Sequence, residues 1–268
     1  MHNNEWIMNE FGDVPFGDER LNKRLLNIAE LFYKNPENSI PQACQSYAAT
    51  QATYRFFSNT QVKSEALIMN HREQTIERIK QHNTVLIIQD TTSLNYASHP
   101  ATKGLGSYSN TKHDLGLLLH TSLSVSTIGI PLGILSSYTW TRDIEALGNL
   151  THKHKRATSD KESQKWIDAL NLSLKDIPNY VKAVTVCDRE ADFYDFFNEA
   201  ISKTIHLLVR VAQKKRCLDD GSLLIESIEK SPVMGNLIVD IPRDTKRRLS
   251  PRTANLSIRY GSVCISSP

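Results

Sequence analysis

Two aspartates stand where chemistry is easiest to build. Asp90 closes the run Thr84-Val85-Leu86-Ile87-Ile88-Gln89, and Asp188 closes Lys182-Ala183-Val184-Thr185-Val186-Cys187. Each apolar, β-branched run reads as a buried strand with a carboxylate pushed out at its carboxyl end. Open α/β sheets place their sites at that edge. If the two strands pair in parallel, the carboxylates meet and repel unless a cation lies between them. Hard oxygen ligands select Mg²⁺ or Mn²⁺. The plainer reading is that each aspartate caps a strand end or the following helix. Neighbouring Asp192 reads as helix-terminus charge rather than as a ligand. Cys187 alternates to the other face of its strand, so no nucleophile is assigned to it.

The remaining chain must position those two residues. Its 268 residues suffice for one large or two modest domains with a sizeable core. Hydrophobic residues at 40% and charged residues at 23% argue against wholesale disorder. A net charge of +3 does not by itself indicate nucleic acid, so local clusters must carry that case. Four scattered cysteines without a C-x-x-C pair argue against a zinc site or a disulfide framework and suit a reducing compartment. With no membrane-length apolar run and an acidic amino terminus, a soluble cytoplasmic protein is expected.

Helical periodicity fills the first eighty residues. Leu21, Leu25, Ile28 and Phe32 make one face of a helix from Asp18 to Tyr33, with Arg20, Lys23 and Arg24 opposite. A shorter helical segment spans Pro41 to Asn59, and Ser64 caps a further helix. From Thr84 the period changes to strands. The strand ending at Asp90, two runs at Leu115–Val125 and Ile128–Trp140, and a polar loop from Arg142 to Asp160 precede a helix over Glu162–Leu174. The Asp188 strand, a helix to Ser202 and a strand from Ile205 to Val211 follow, so a meander continues into parallel crossovers: a mixed α/β sheet. Pro131 marks an edge or a bulge. Strand-like runs at Leu237–Ile241 and Ala254–Ile265 flank a basic segment with Lys246, Arg247 and Arg248. His120 reads as a core residue, Trp140 and Trp166 as core or rim, and His152 and His154 receive no role.

Gln89-Asp90-Thr91-Thr92-Ser93-Leu94, Glu162-Ser163-Gln164-Lys165-Trp166 and Val186-Cys187-Asp188-Arg189-Glu190-Ala191-Asp192 together resemble the DDE transposases of bacterial insertion sequences, of the insertion-sequence-four family and transposon-five type. Gly17-Asp18-Glu19-Arg20 with Arg24-Leu25, and Tyr54-Arg55-Phe56, resemble that family's DNA-binding domain. The resemblance is collinear over nearly the whole chain.

It implies a helical domain over 1–80 that binds transposon ends, a ribonuclease-H-like core over 81–212 and the start of a β-rich insertion over 213–268. Asp90 and Asp188 would be the first two catalytic carboxylates, holding Mg²⁺ or Mn²⁺, with two ions expected in the complete enzyme. Metals about 3.5–4 Å apart activate the attacking oxygen and stabilise the departing one in phosphodiester displacement. Water would be the nucleophile for nicking, then a DNA 3′-hydroxyl for strand transfer. The partners implied are double-stranded DNA, as transposon ends and target, and a second copy of the chain. Arg210, on the last core strand, matches a phosphate-contacting position, and Lys214 and Lys215 form a basic cluster suited to phosphate.

The family's third carboxylate belongs to a later helix with a Tyr, Arg, Glu, Lys pattern, and nothing from Arg216 to Pro268 matches it. The expectation is a truncated transposase lacking that glutamate and the dimerisation region, inactive alone. The alternatives are a DNA-binding remnant that inhibits the intact enzyme, and a nuclease complete at this length that uses Glu190 or Asp192 as third ligand.

Overall fold

The computed structural model describes residues 5–109, 111, 113–143, 162–213 and 215–267. They divide into two compact units, 1–191 with 195–209 and 192–194 with 210–268. No described helix is long and apolar enough to cross a membrane.

The first unit opens with five helices: α1 (Glu5–Phe11), α2 (Glu19–Lys34), α3 (Ile40–Cys44), α4 (Tyr47–Phe57) and α5 (Ser64–Ile79). Asp18 caps α2, its side chain accepting from the Arg20 amide at 2.8 Å. Leu25 and Ile28 from the predicted apolar face of α2 pack with Val14, Phe16 and Phe56. The Phe16 and Phe56 rings meet edge to face at 5.8 Å. The single segment predicted over Pro41–Asn59 is two helices, because Gln45 takes a left-handed conformation (φ 57°) and Ser46 caps the second. Ser64 is not a cap either. Lys63 holds the extended backbone before α5, and Ser64 is already helical.

Six strands form the sheet: β1 (Thr84–Asn95), β2 (Gly106–Ser107), β3 (Leu115–Ser126), β4 (Pro131–Trp140), β5 (Lys182–Cys187) and β6 (His206–Val209). The order is β2-β3-β1-β5-β6, with β4 also on β3. β1, β3 and β4 are antiparallel, whereas β5 pairs parallel with β1 and β6 parallel with β5. An antiparallel meander extended by parallel crossover strands is the ribonuclease-H-like arrangement. α6 (Gln164–Leu174) precedes β5, and α7 (Tyr194–Ser202) links β5 to β6. The pairing of β3 with β4 is bulged near Pro131, as that proline required.

Val85 and Ile87 on β1, Leu132 and Leu135 on β4, Ile76 and Ile79 on α5 and Val181 make the main core. Each such side chain contributes about 1.5–3 kcal/mol when fully buried. Beneath α6 the sheet carries small hydroxyls instead. Ser136 donates to Ser122 at 2.8 Å and lies 3.3 Å from Ser173 of α6. Arg72 of α5 closes the end of α6, donating to the Leu172 and Lys175 carbonyls and pairing with Asp176 at 3.0 Å.

A second joint ties α1 to α5 and β4. The buried Glu10 carboxylate takes two hydrogen bonds from Arg78, at 2.8 and 3.1 Å, and a third from His71 Nδ1. His71 Nε2 accepts from the Ile134 amide at 2.8 Å, so the ring proton sits on Nδ1, facing Glu10. Burial raises the Glu10 pKa, but the bonds from His71 and Arg78 outweigh it and hold the acid at about 2.

In the second unit, β7 (Gly235–Ile241) and β8 (Arg252–Ile258) form an antiparallel hairpin after the short α8 (Leu224–Lys230). The run expected to extend to Ile265 stops at Ile258, opposite the first residue of β7. Beyond it, among the described residues, Ile265 alone forms a β-bridge, to Leu218.

Candidate functional site

β1 and β5 run side by side with Gln89 opposite Cys187. The next residue on each is the predicted aspartate, and register partners in a parallel pair share a face. Gln89 and Cys187 are buried, so Asp90, the next residue on β1, and Asp188, which follows the last residue of β5, belong to the opposite face, and both are exposed. Asp90 does not end its strand, as the sequence suggested. β1 continues to Asn95 because β3 pairs with it throughout, Asp90 lying opposite Thr121.

Asp90 accepts from the Thr91 amide at 2.8 Å, and Asp188 from the Glu190 amide at 2.8 Å, inside a 3₁₀ turn over Arg189–Ala191. Among the described residues neither has an ion-pair partner. Two neighbouring hard-oxygen donors without a counter-charge fit a divalent cation. Among the described residues no group of three His, Cys, Asp or Glu side chains could hold a metal.

The nearby acids are otherwise engaged. Glu190 lies 3.6 Å from Lys165 Nζ. Asp192 is not helix-terminus charge. It is buried within the second unit, accepting from the Ala212 and Gln213 amides at 2.5 and 2.7 Å and pairing with Arg216. Cys187 is no nucleophile, since burial and the adjoining Asp188 push its thiol up to about 12.

Behind the aspartates lie the residues of the Glu162–Trp166 segment. Arg142 grips Glu162 with two bonds of 2.6 and 2.8 Å, which hold that acid below its ordinary range. Lys165 Nζ stands 4.7 Å from the centre of the Trp140 ring. His120 is 1% exposed, packs edge to face on the buried Trp166 at 4.6 Å, and bonds Thr91 Oγ1 through Nδ1 at 2.9 Å. Burial, then the nearby Lys165 charge, hold its pKa down at about 4.

The basic side chains fall into groups. Arg20 and Arg24 line a notch of about 340 Å³ with Asp18, Arg55 and Asn59. Arg20 is bonded to Asp18 at 2.9 Å, and Lys23 lies 3.7 Å from Glu19. Arg55 was not singled out from sequence as a contact; its place between Tyr54 and Phe56 was the available signal. Arg210 follows the last residue of β6 rather than lying within it, and with Lys215 it is an exposed residue of the second unit. Lys214, His152, His154 and most of the 142–160 loop lie outside the described residues.

Residues 3–62 match the family model described as Transposase DNA-binding. That span holds α1 to α4 and all three notch arginines, so this segment is similar to the DNA-binding domains of transposases. Solved structures are also similar to this chain, at low identity. A Mos1 transposase paired-end complex with the left transposon end is 11% identical, covering 69% of this chain and 58% of that one, with a TM-score of 0.27. A piggyBac transposase synaptic complex with hairpin DNA is 9% identical, covering 89% and 56%, with a TM-score of 0.38. A pre-cleavage Mos1 transpososome is 9% identical, covering 78% and 72%, with a TM-score of 0.26. This chain spans a little over half the length of the first two.

Proposed function

We propose that the protein is a transposase polypeptide of the insertion-sequence-four, transposon-five type, which binds double-stranded transposon ends through its amino-terminal helices. Asp90 and Asp188 are two of the three carboxylates of its phosphodiester-cutting centre. The observation that carries the reading is the register of β1 on β5, which gives two parallel strands an aspartate each at the next step on one face. The same chain holds a segment matching transposase DNA-binding domains.

Asp90 and Asp188 would hold Mg²⁺ or Mn²⁺. When bound, such ions activate an attacking oxygen and stabilise a departing one. The chain's own residues do the rest. Arg20, Arg24 and Arg55 neutralise phosphates and fix the register of the duplex, with Lys23 beside them on α2. The Thr91–His120 bond holds β1 against β3 immediately after Asp90, and the Lys165–Glu190 pair steadies the turn that follows Asp188.

A second reading is favoured by how fully Asp192 is occupied and by the pairing of Glu190. With neither acid free as a third ligand, these 268 residues would bind transposon ends without cutting them and compete with intact enzyme. Two measurements separate the readings. A gel shift with end-sequence duplex tests binding; unchanged affinity and salt dependence after joint Ala substitution of Arg20, Lys23, Arg24 and Arg55 would count against the helical interface. A Mn²⁺-dependent nicking assay tests cutting: cleavage abolished by Asp188→Ala supports a competent centre, whereas tight binding without cleavage supports the competitor.

A further inference from the structure

The cleft between the edge strand β4 and helix α6 shares His120 and Lys165 with the supports described above, but its open volume and aromatic wall have no part in that reading. It encloses about 410 Å³, within the range of small-ligand sites. Its wall is a stacked aromatic pair, Tyr138 on Trp140, with ring centres 5.4 Å apart and planes 18° from parallel. The Lys165 ammonium stands over the Trp140 ring as well. Tyr138 remains 59% exposed, so the pair leaves ring surface open to a third planar group.

The floor supplies an independent sign of a ligand. His120 is 1% exposed and lines the cleft, and its Nε2 is buried with no hydrogen-bond partner, Nδ1 being used by Thr91. A buried ring nitrogen left unpaired is costly, and among the described residues none supplies its partner, which a group entering the cleft would provide. Gln164 and Asp168, bonded to each other at 2.9 Å, add an amide oxygen and a carboxylate oxygen to the lining.

We propose that this cleft binds a nucleobase, stacked on Tyr138 and hydrogen-bonded along its edge. A ring with both donors and acceptors in its own plane satisfies both the aromatic wall and the unpaired polar atoms; a phenyl side chain of a protein partner satisfies only the first, and an indole offers a single donor and no acceptor to the Gln164, Asp168 and His120 side chains. The Lys165 charge suits the phosphate that a nucleotide carries and opposes a cationic ligand. The proposal rests on the DNA reading only for the source of the base: an unpaired base of bound DNA or a free nucleotide has the same chemistry.

The test uses the full chain with two probes. One is a single-stranded oligonucleotide carrying 2-aminopurine, and the other is dAMP, followed by tryptophan fluorescence. Stacking quenches 2-aminopurine emission on binding. Tyr138→Ala weakens binding at least about fivefold, the low end for one stacked base, and Tyr138→Phe restores it. Because Tyr138 is largely exposed, neither variant threatens folding. If dAMP quenches the protein in a Tyr138-dependent way while no DNA is shifted, the base site stands with a free nucleotide as its occupant and the DNA reading fails. If DNA binds but 2-aminopurine emission is unchanged and Tyr138→Ala binds both probes like the parent, the DNA reading stands and the base site is overturned.

Discussion

Thr91 Oγ1 and His120 Nδ1 lie 2.9 Å apart, joining β1 to β3 one residue beyond the first aspartate. The bond belongs to a neutral imidazole, because burial with Lys165 nearby holds His120 at about 4 against an ordinary value of 6.5. Its folded pKa is depressed, so the unfolded chain takes up the proton first as acid is added. Stability from this residue is fully present above about pH 6.5 and falls as pH drops towards 4, by about 3 kcal/mol over the window. Urea titrations from pH 7 to 4 check this. His120→Gln should be less stable at pH 7 but lose less on going to pH 4.

A second acid-sensitive group acts lower. Glu10 is held at about 2 against 4.5, so its contribution is intact above pH 4.5 and disappears as pH falls towards 2. Removing its cation is harsher than protonating it. Arg78→Met leaves a buried carboxylate short of its main partner and should cost about 3–5 kcal/mol at pH 7. Thermal melts would show a large loss that shrinks at pH 3, where Glu10 is easily protonated in the variant.

Gly133 has φ 143°, and a Cβ there would run into Thr75 and Arg78 of α5. Gly133→Ala should therefore cost more than the roughly 1 kcal/mol of an ordinary backbone misfit, because the joint around Arg78 must shift as well. Chemical denaturation gives the number directly. A loss below 0.5 kcal/mol would show that β4 gives way easily.

The paired carboxylates predict a response to cations. Mn²⁺ at ten times its dissociation constant should stabilise the protein by about 1.4 kcal/mol, a few degrees in melting temperature. Asp90→Asn or Asp188→Asn should abolish the increment without lowering the metal-free melting point, since each removes like-charge repulsion. An equal increment in parent and variants would place the ion elsewhere.

Much of this architecture could be read from the chain because its signals are local. Five β-branched or aliphatic residues before Asp90 and the β-branched run before Asp188 gave two strands, with Cys187 on the face opposite its aspartate. The apolar spacing of Leu21 to Phe32 gave α2. What escaped depends on distant partners. β1 runs past Asp90 only because β3 supplies eleven residues to pair with it. α1 and α8 are seven residues each, too short for a clear apolar stripe. The burial of Asp192 was invisible because its partners, Ala212, Gln213 and Arg216, lie some twenty positions away. Arg55 joined Arg20 and Arg24 only through the packing of α4 on α2.

The two aspartates are anchored unequally. Asp90 lies inside a strand that stays paired with β3 for five residues further, whereas Asp188 lies past the last residue of β5, on a short turn. The place of the first is set by a ladder and that of the second by three residues, Arg189–Ala191, and the Lys165–Glu190 pair, so the width of the gap between the two carboxylates depends on that turn.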